Sequence, residues 1–441
     1  MFELTLLLAS LALFGLILSA LLPLRAMVVV SVALCVLQVY TISTVGVFLS
    51  AAHLAALALW RHVAEPATLR QPWFWAVAAL LLIQLVSAIW SPAPVLAVRY
   101  VLYSLPFLLV VSAVVKLART DFAAVRRALL VVLATSAIQA TLVIVFRVLP
   151  SVEFGFLYSP VARFFISANL LSDIANGAYT VFDPGKAGGF FINANVAAVF
   201  GGVMAFAAWG CASLLQAPWL RWIAALNLVS VFFAGSKAGM GMAVLMPTLM
   251  YLITVFRSGR ISMGLVAGVC FTLAGGLLAV VFVADRVADS AFVGASGQTL
   301  DERLKIWRFA WQVIQESPLT GLGFGGWEIE WPAYAQAVGS NPLFPPHNAF
   351  LALFMQSGLL AALAGLVFMV TSLAYIWRRF VGSVAATKEF ALSLFIAQLW
   401  LVVQAQGENY GLVGEVHLTL LMAAMMGLLV HKTEGEAADG P

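Results

Sequence analysis

The stretch NAFLALFMQSGLLAALAGLVFMVTSLAYIW, Asn348–Trp377, contains no Asp, Glu, Lys or Arg. About 20 consecutive apolar residues carry a helix across the hydrocarbon core of a bilayer, and this run is longer. Similar apolar runs recur along the 441 residues, of which 63% are hydrophobic and only 10% are charged. Soluble domains carry about 25% charged residues. The sequence therefore predicts an all-α polytopic membrane protein.

Apolar runs of this kind divide the chain into about 13 predicted spans, or about 12 if two short early runs form one broken helix. The first run has no basic start and no small-residue cleavage site, which favours a retained span over a signal peptide. The predicted spans are Leu4–Leu22, Leu24–Tyr40, Val45–Trp60, Trp73–Trp90, Val95–Lys116, Phe122–Val148, Phe190–Leu215, Trp219–Ala234, Ala238–Phe256, Ile261–Val283, Asn348–Trp377, Phe390–Gln406 and Leu412–Val430.

Basic residues predict the orientation, because short cytoplasmic loops are enriched in Lys and Arg. They collect in one alternating set of loops, whereas the opposite set, which we expect outside, holds most of the acids, including Glu153 and Glu408. The side of the N-terminus stays open. The predicted organisation is N-terminal spans over 1–148, an outside loop over 149–189, central spans over 190–283, a larger outside loop over 284–346, C-terminal spans over 347–431 and a cytoplasmic tail over 432–441.

The larger loop, Ala284–Pro346, is a polar interruption that residence in lipid does not explain. Within it, apolar residues that include Trp307 and Trp311 recur at helical spacing, which predicts an amphipathic helix over Leu300–Glu316. Tryptophans suit the membrane interface. The glycine-rich run Gly321–Gly326 follows, and it can be interpreted as a phosphate-binding loop or as a packed turn; the packed turn is favoured because no nucleotide motif matches.

The loop ends in Pro345-Pro346-His347-Asn348, which delivers His347 to the first turn of the next apolar helix. Imidazole is the side chain best suited to proton transfer near neutral pH. We therefore take His347 as the candidate catalytic residue. The alternative is that it caps its helix or has no role at the interface.

Cations and amides of the outside loops are candidate substrate-binding groups. Lys186, Lys237, Arg286 and Arg303 would together suit a diphosphate, which accepts several charge-assisted hydrogen bonds. The alternative for each is interfacial snorkelling. The amides in Asn193-Ala-Asn195 either bond sugar hydroxyls or cap a helix.

The residues point away from several other functions. We find no Asp-x-Asp motif, no nucleophilic Ser or Cys motif and no phosphate loop of the nucleotide-binding type, so we expect neither a metal nor a cofactor. A transporter should show polar or broken helices at mid-bilayer. Here the spans are largely unbroken and the polar residues collect outside, which favours an enzyme.

The ordered motifs resemble the signature of the O-antigen ligase and polymerase superfamily. The likeness covers Gly185 to Gly358, and the N-terminal spans fit by topology only. The motifs are Gly189-Phe-Phe-Ile-Asn193-Ala-Asn195, Gly235-Ser-Lys237-Ala-Gly239, Arg303-Leu-Lys-Ile-Trp307, Ser317-Pro-Leu-Thr-Gly321-Leu-Gly323, His347-Asn348-Ala-Phe-Leu351 and Gly358.

This resemblance implies a glycosyltransferase of the GT-C type in the bacterial inner membrane, with an active site that faces the periplasm. Such an enzyme moves a glycan from undecaprenyl diphosphate to an acceptor hydroxyl, with inversion and without metal or cofactor. By the same resemblance, His347 is the base and Arg303 matches an arginine that holds the diphosphate. Lys237 stands where the family has arginine, which keeps the charge but loses the bidentate fork.

The expected partners are the lipid-linked glycan donor, a glycan or lipid A-core acceptor and membrane lipids, with no nucleic acid. A ligase is the leading interpretation. The loop Ala284–Pro346 is short for a ligase of lipid A-core, so a polymerase that extends a lipid-linked glycan is the close alternative. A protein O-oligosaccharyltransferase and a lipid-linked sugar transporter are further alternatives.

Overall fold

The structure, a computed structural model, describes residues 2–37, 40–44, 47–166, 171, 185–258, 291–408 and 416–438. Its N-terminal part contains α1 (Phe2–Leu21), α2 (Leu24–Ala33), β1 (Tyr40–Thr44), β2 (Val47–Ser50), α3 (Ala51–Leu57), a 3₁₀ helix (Ala58–His62), α4 (Pro66–Leu69), α5 (Pro72–Ser87), α6 (Pro94–Thr120), α7 (Phe122–Val148), α8 (Pro150–Leu157) and α9 (Ala162–Phe165).

The remainder contains a second 3₁₀ helix (Gly189–Phe191), α10 (Ala194–Leu214), α11 (Leu220–Ala234), α12 (Lys237–Ser258), α13 (Ala291–Glu316), α14 (Trp327–Ala337), α15 (Ala349–Gly382), α16 (Ala385–Gln404) and α17 (Val416–Ala438). In the described ranges, 6 helices are long and apolar enough to cross a membrane, namely α6, α7, α10, α12, α15 and α16. The prediction of an all-α polytopic membrane protein is confirmed.

The early part of the chain departs from the predicted pattern of spans. The end of α1 and α2 form a pair bent by 116°, which is a broken span or a re-entrant loop. The predicted span Val45–Trp60 is wrong: β1 and β2 form an antiparallel hairpin there, followed by the short α3. The physical reason is that Tyr40–Ser50 is rich in β-branched and aromatic residues, which favour strand. The predicted span Ile261–Val283 lies outside the described residues.

Close helix approach builds the core. The buried helix α10 packs against α7, α11, α12 and α16, and α17 packs against α6. A Cβ placed on Gly202 would come 2.3 Å from the Trp400 ring of α16, and one on Gly427 would come 2.7 Å from the carbonyl oxygen of Val111. Small residues at such contacts let helix backbones approach closely, as is typical of packing in membranes.

Helix α15 contains a break that fixes the segment before it. Gly358 has φ 77° and ψ −176°, and a Cβ there would lie 1.9 Å from the carbonyl oxygen of Leu319. The carbonyl of Met355, freed by the break, accepts a hydrogen bond from the Leu322 N–H at 2.9 Å. The chain after α13 is therefore inserted into the broken turn, which brings two distant motifs of the sequence together.

Candidate active site

His347 lies directly in front of α15, at the end of the bundle where α10, α12 and α15 begin; we call this the site end. Asn348 caps α15, because its side chain accepts a hydrogen bond from the Leu351 N–H at 2.9 Å. His347 therefore lies immediately before the cap residue. The prediction that it lies in the first turn of the helix is wrong, because the first turn begins after Asn348. Its φ of 51° is left-handed, which costs a residue with a side chain about 1–3 kcal/mol. Such strained backbone is concentrated at functional sites.

The buried carboxylate of Glu408 organises the site. Its Oε1 accepts hydrogen bonds from Nδ2 of Asn195 at 2.9 Å and from Nη2 of Arg303 at 3.2 Å. Its Oε2 lies 3.6 Å from Nδ1 of His347. A buried charge is tolerated only where it is paired and hydrogen-bonded. Glu408 thus brings together three predicted site residues from three separate elements.

The same carboxylate faces the imidazole at ion-pair distance, and the buried Nδ1 has no hydrogen-bond partner among the described residues. A proton on Nδ1 facing Glu408 leaves Nε2 as the acceptor nitrogen. The His347 side chain is 20% exposed, so the ring is held by its surroundings but still reaches open space. The Phe344 ring, 6.0 Å away between centroids, packs edge-on against it. The carboxylate and the ring are thus neighbours, and the role of Glu408 as an orienting partner of a base stays a prediction.

Backbone hydrogen bonds tie the segment that carries Glu408 to the start of α15. The Ala349 N–H donates to the carbonyl of Ala405 at 2.8 Å, and the Asn348 side chain donates to the carbonyl of Gln406 at 3.3 Å. The turn that follows α16 is therefore fixed against the residues that follow His347. Both partners of the His347–Glu408 contact are positioned by the same pair of helices.

Arg303 reaches Glu408 from the amphipathic helix α13. The predicted helix over Leu300–Glu316 is confirmed and starts earlier, at Ala291. A Cβ on Gly407 would lie 3.4 Å from Nη1 of Arg303, so the guanidinium rests on the turn beside Glu408. Its side chain is 27% exposed. The structure shows Arg303 bonded to a carboxylate, and its contact with a diphosphate stays a prediction.

Helix α13 is also fixed to the loop that precedes His347. Glu302 accepts a hydrogen bond from the Ser340 hydroxyl and another from Nζ of Lys305 at 2.9 Å. The Ser340 hydroxyl and the Lys305 ammonium hold the pKa of the Glu302 carboxyl below its ordinary value. The helix that carries Arg303 is thus attached to the rest of the protein at a second point, through Glu302 and Ser340.

The two asparagines at the start of α10 have different roles. Asn193 caps the helix, since its side chain accepts from the N–H groups of Asn195 at 2.9 Å and Val196 at 3.4 Å. Of the two alternatives that the sequence leaves open, helix capping is what the structure shows for Asn193. Asn195 instead uses its amide on Glu408. Binding of sugar hydroxyls by either residue stays a prediction.

A buried glutamine of α7 fixes the segment that leads to these asparagines. Gln139 donates to the carbonyl of Gly188 at 2.9 Å and accepts from the Phe190 N–H at 2.8 Å. Gly189 has φ 60°, and a Cβ there would lie 2.6 Å from the Gln139 amide. The glycine that begins the motif, Gly189, is explained by this close contact.

Lys186 and Lys237 lie on two backbone segments that touch at the site end. The Ala187 N–H donates to the carbonyl of Ala234 at 3.2 Å. Gly235, with φ 78°, leaves no room for a Cβ, which would come 2.0 Å from the Gly185 carbonyl oxygen. Lys237 is exposed in the first turn of α12. The positive end of a helix dipole adds to its charge there.

Helix α12 begins beside α10, which places these lysines next to the Asn195 helix. A Cβ on Gly239 would come 2.7 Å from the Cβ of Ala198, one turn beyond Asn195. The remaining predicted cation, Arg286, lies outside the described residues. The structure therefore brings Asn195, Arg303 and His347 into contact through Glu408, with Lys186 and Lys237 on neighbouring backbone.

The glycine-rich run Gly321–Gly326 is a turn packed on protein. The Phe324 N–H donates to the Ser87 hydroxyl at 3.0 Å, and the Gly325 N–H donates to Oε1 of Gln356 at 2.8 Å. Because these N–H groups are bonded within the protein, they do not form a phosphate-binding loop. The favoured interpretation of this run is confirmed.

Sequence reasoning missed Glu408 as a site residue. In the sequence, Glu408 is one of several acids of the outside loops, and no recognised motif surrounds it. The usable signal was its position immediately after an apolar run, because a carboxylate near membrane depth is costly and needs a partner. Gln139, a polar residue within an apolar run, carried the same kind of signal.

Comparison with known families gives a match that covers part of the site. Residues 222–366 match the family model described as O-antigen ligase. That interval contains Lys237, Arg303, His347 and Gly358, whereas Glu408 lies beyond it. No protein of curated function matches the chain. The match over residues 222–366 supports membership of the chain in the O-antigen ligase and polymerase superfamily.

Proposed function

We propose that this protein transfers a glycan from undecaprenyl diphosphate to an acceptor hydroxyl at the periplasmic face of the bacterial inner membrane. The observation that carries the proposal is the buried carboxylate of Glu408, which holds His347, Arg303 and Asn195 together. The family match supports the reaction class. The acceptor is a lipid A-core sugar in the leading form of the proposal.

The base is His347. Its Nε2 takes the proton of the acceptor hydroxyl while the hydroxyl oxygen attacks the anomeric carbon of the donor sugar. The new C–O bond forms as the bond between that carbon and the diphosphate oxygen breaks, which inverts the anomeric centre. The diphosphate leaves with the electron pair, and the imidazolium that results is stabilised by Glu408 3.6 Å away.

The leaving diphosphate acquires negative charge, which fixed cations stabilise. Lys237 and Lys186 lie on adjoining backbone at the site end, and the N-termini of α10 and α12 point there as well. Arg303 lies beside Glu408 and is partly exposed, so it is a third candidate cation for the diphosphate. Arg286 is a fourth candidate for the same role, from the sequence alone. Asn193 and Asn195 are candidates for contacts to the donor sugar.

The distribution of charge supports the orientation. At the end of the bundle opposite to His347, Arg126 donates to the carbonyl of Leu215, and Arg221 lies 3.7 Å from Glu389. Lys432 lies over the Phe122 ring at the same end. An excess of Lys and Arg marks the cytoplasmic side, so the site end faces the periplasm.

The expectation of largely unbroken spans is wrong for α15, but the way its break is filled favours an enzyme over a transporter of lipid-linked sugars. Transporters use broken helices to line a substrate cavity near mid-bilayer. Here the break at Gly358 is filled by protein backbone from Leu319 and lies close to the site end. It therefore positions the loop before His347 and does not open a path.

The proposal is tested by reconstituting the full chain with an undecaprenyl-diphosphate-linked glycan, with and without lipid A-core. Glycosylated lipid A identifies a ligase, and longer lipid-linked chains identify a polymerase. Formation of neither product, together with movement of the lipid-linked glycan across the bilayer, would overturn the proposal in favour of a transporter.

The first variant to compare in this assay is His347→Ala. We expect transfer to fall by about 10²–10⁴-fold, because a general base is lost. Expression and membrane insertion should be unchanged. His431→Ala, at the opposite end of the bundle, is the control and should transfer glycan at the normal rate. Near-normal transfer by His347→Ala contradicts the base assignment.

A further inference from the structure

A cavity of about 400 Å³ lies behind the segment that carries His347. Phe344, Pro345 and Pro346 form one wall, and residues of α5, α6, α14 and α15 form the others. Glu408, Arg303 and Asn195 do not line it. The volume falls within the range of about 300–1,000 Å³ that is usual for small-molecule sites.

The chemistry of the lining differs from that of the cation-rich side of the site. Four aromatic rings face the cavity, together with a small set of polar side chains that includes one carboxylate, that of Glu328. Among the lining residues that the structure describes, none is Lys, Arg or His. The polar residues of the lining are Gln84, Ser104, Gln356 and Glu328.

These groups suit a sugar and not a diphosphate. A carboxylate and carboxamides accept and donate to hydroxyls, whereas aromatic faces pack against the apolar C–H faces of a pyranose. A diphosphate would face the negative charge of Glu328 with no cation in the lining, since Arg99, whose guanidinium lies 5.0 Å from the centre of the Tyr100 ring, is not among the lining residues. The donor's diphosphate therefore belongs on the side of Lys186 and Lys237.

We propose that this cavity binds the acceptor, with its terminal sugar held as an uncharged ring between Tyr100, Trp327 and Glu328. The inference rests on the proposed glycosyl transfer and assigns the acceptor to a surface distinct from that of the donor. The Tyr100 hydroxyl donates to Oε1 of Glu328 at 2.6 Å, which fixes the carboxylate at the cavity. Glu328 and Tyr100 are specificity-determining residues in this arrangement.

The cavity and the candidate base His347 both contact Phe344. The Phe344 ring lines the cavity and also packs on the His347 ring, 6.0 Å between centroids. The Phe344 carbonyl accepts a hydrogen bond from Nε1 of Trp327 at 3.0 Å. His347 itself does not line the cavity, so in this proposal the hydroxyl of a sugar on Trp327 reaches the imidazole past the Phe344 ring that contacts both.

Apolar residues at the deeper end of the cavity indicate that the acceptor is attached to a lipid. Val77, Leu80 and Leu81 of α5, a helix of the apolar bundle, and Leu353 of α15 line this part. A hydrophobic chain joined to the sugar would lie among them. A soluble sugar acceptor would leave this apolar surface without a ligand.

The test compares Glu328→Gln with Glu330→Gln in the reconstituted full chain. Glu330 is an exposed acid of the same helix, α14, and does not line the cavity. We expect Glu328→Gln to raise the KM for the acceptor by about tenfold, the effect of losing one charge-assisted hydrogen bond, and to leave the KM for the donor unchanged. Tyr100→Phe should shift the acceptor KM in the same direction by a smaller factor. Glu330→Gln should match the parent protein.

The proposal is overturned if neither variant changes the acceptor KM, or if the donor KM rises by the same factor. A second measurement keeps the cavity testable when no transfer is detected. Binding of labelled lipid A-core and of labelled undecaprenyl-diphosphate glycan to the purified full chain is then compared between the parent protein and Glu328→Gln. Loss of acceptor binding alone supports the cavity, and equal binding by both proteins refutes it. Absence of transfer with intact binding refutes only the proposed reaction.

Discussion

At the scale of the residue, Glu408 has the largest consequences for the site. It is buried, it bonds Asn195 and Arg303, and it lies 3.6 Å from His347. Removing its charge leaves the Arg303 guanidinium without its counter-charge and the imidazolium without a stabilising partner. A single substitution of Glu408 therefore changes both the stability of the protein and the rate of transfer. A double substitution is needed to separate these two effects.

We predict that Glu408→Gln lowers kcat by about 10²–10³-fold, since the base loses its orienting carboxylate. Glu408→Asp, which keeps the charge, should recover part of the rate. The double variant Arg303→Gln/Glu408→Gln removes both charges and should recover the thermal stability lost in Glu408→Gln but not the rate. Recovery of the rate in the double variant would show that Glu408 has only a structural role.

Lys237 is the second residue whose charge can be tested. In the proposed reaction it binds the donor diphosphate, and one charge-assisted hydrogen bond is worth about 1.5–3 kcal/mol. Lys237→Ala should therefore raise the donor KM by about tenfold or more, whereas Lys237→Arg should stay near the parent value. Lys388→Ala, at the opposite end of the bundle, is the control. An unchanged donor KM in Lys237→Ala would remove Lys237 from the diphosphate site.

At the scale of the element, the break in α15 decides where His347 stands. Gly358 permits the left-handed backbone, and the chain from Leu319 to Leu322 fits against the broken turn. This contact links the loop before His347 to the helix after it. A side chain at position 358 would oppose both the backbone conformation and the contact.

We predict that Gly358→Ala destabilises the protein by about 3 kcal/mol or more, since it combines left-handed strain with a steric clash. Gly382 of the same helix is the matched control, because a Cβ there meets nothing within 4 Å. Gly382→Ala should keep or slightly raise the Tm. Thermal unfolding in detergent measures both, and equal Tm values for the two variants would contradict the role of the break.

At the scale of the whole molecule, the two ends of the bundle differ in charge and chemistry. The site end holds the N-termini of α10, α12 and α15, the Glu408 cluster and the two lysines, and the other end holds basic residues that contact neighbouring helices. Helix α8 covers part of the site end of α7 and carries Glu153, a buried acid. Stability of the folded molecule should therefore depend on pH through this residue.

Burial raises the pKa of Glu153 from an ordinary 4.5 to about 7. The folded state then binds a proton more tightly than the unfolded state, so this contribution to stability is present below pH 4.5 and is lost as pH rises through about 7. Glu153→Gln should flatten the fall in Tm over this window. Glu316→Gln, which removes an exposed acid, is the control and should keep the parent slope. A parent-like slope in Glu153→Gln would contradict the assignment.

The sequence by itself determined the membrane class, most helix positions and the amphipathic helix that ends at Glu316, because the bilayer acts on runs of neighbouring residues. It also singled out His347 as the candidate base, which stays a prediction. It mispredicted the span Val45–Trp60, where local strand propensity was stronger than apolar composition. Only the tertiary structure decided that Glu408, 213 positions from Asn195, joins Asn195, Arg303 and His347. It also decided that the chain after α13 packs against the break in α15 at Gly358. These contacts depend on how helices pack, and no local pattern specifies which side chains meet when distant helices come together.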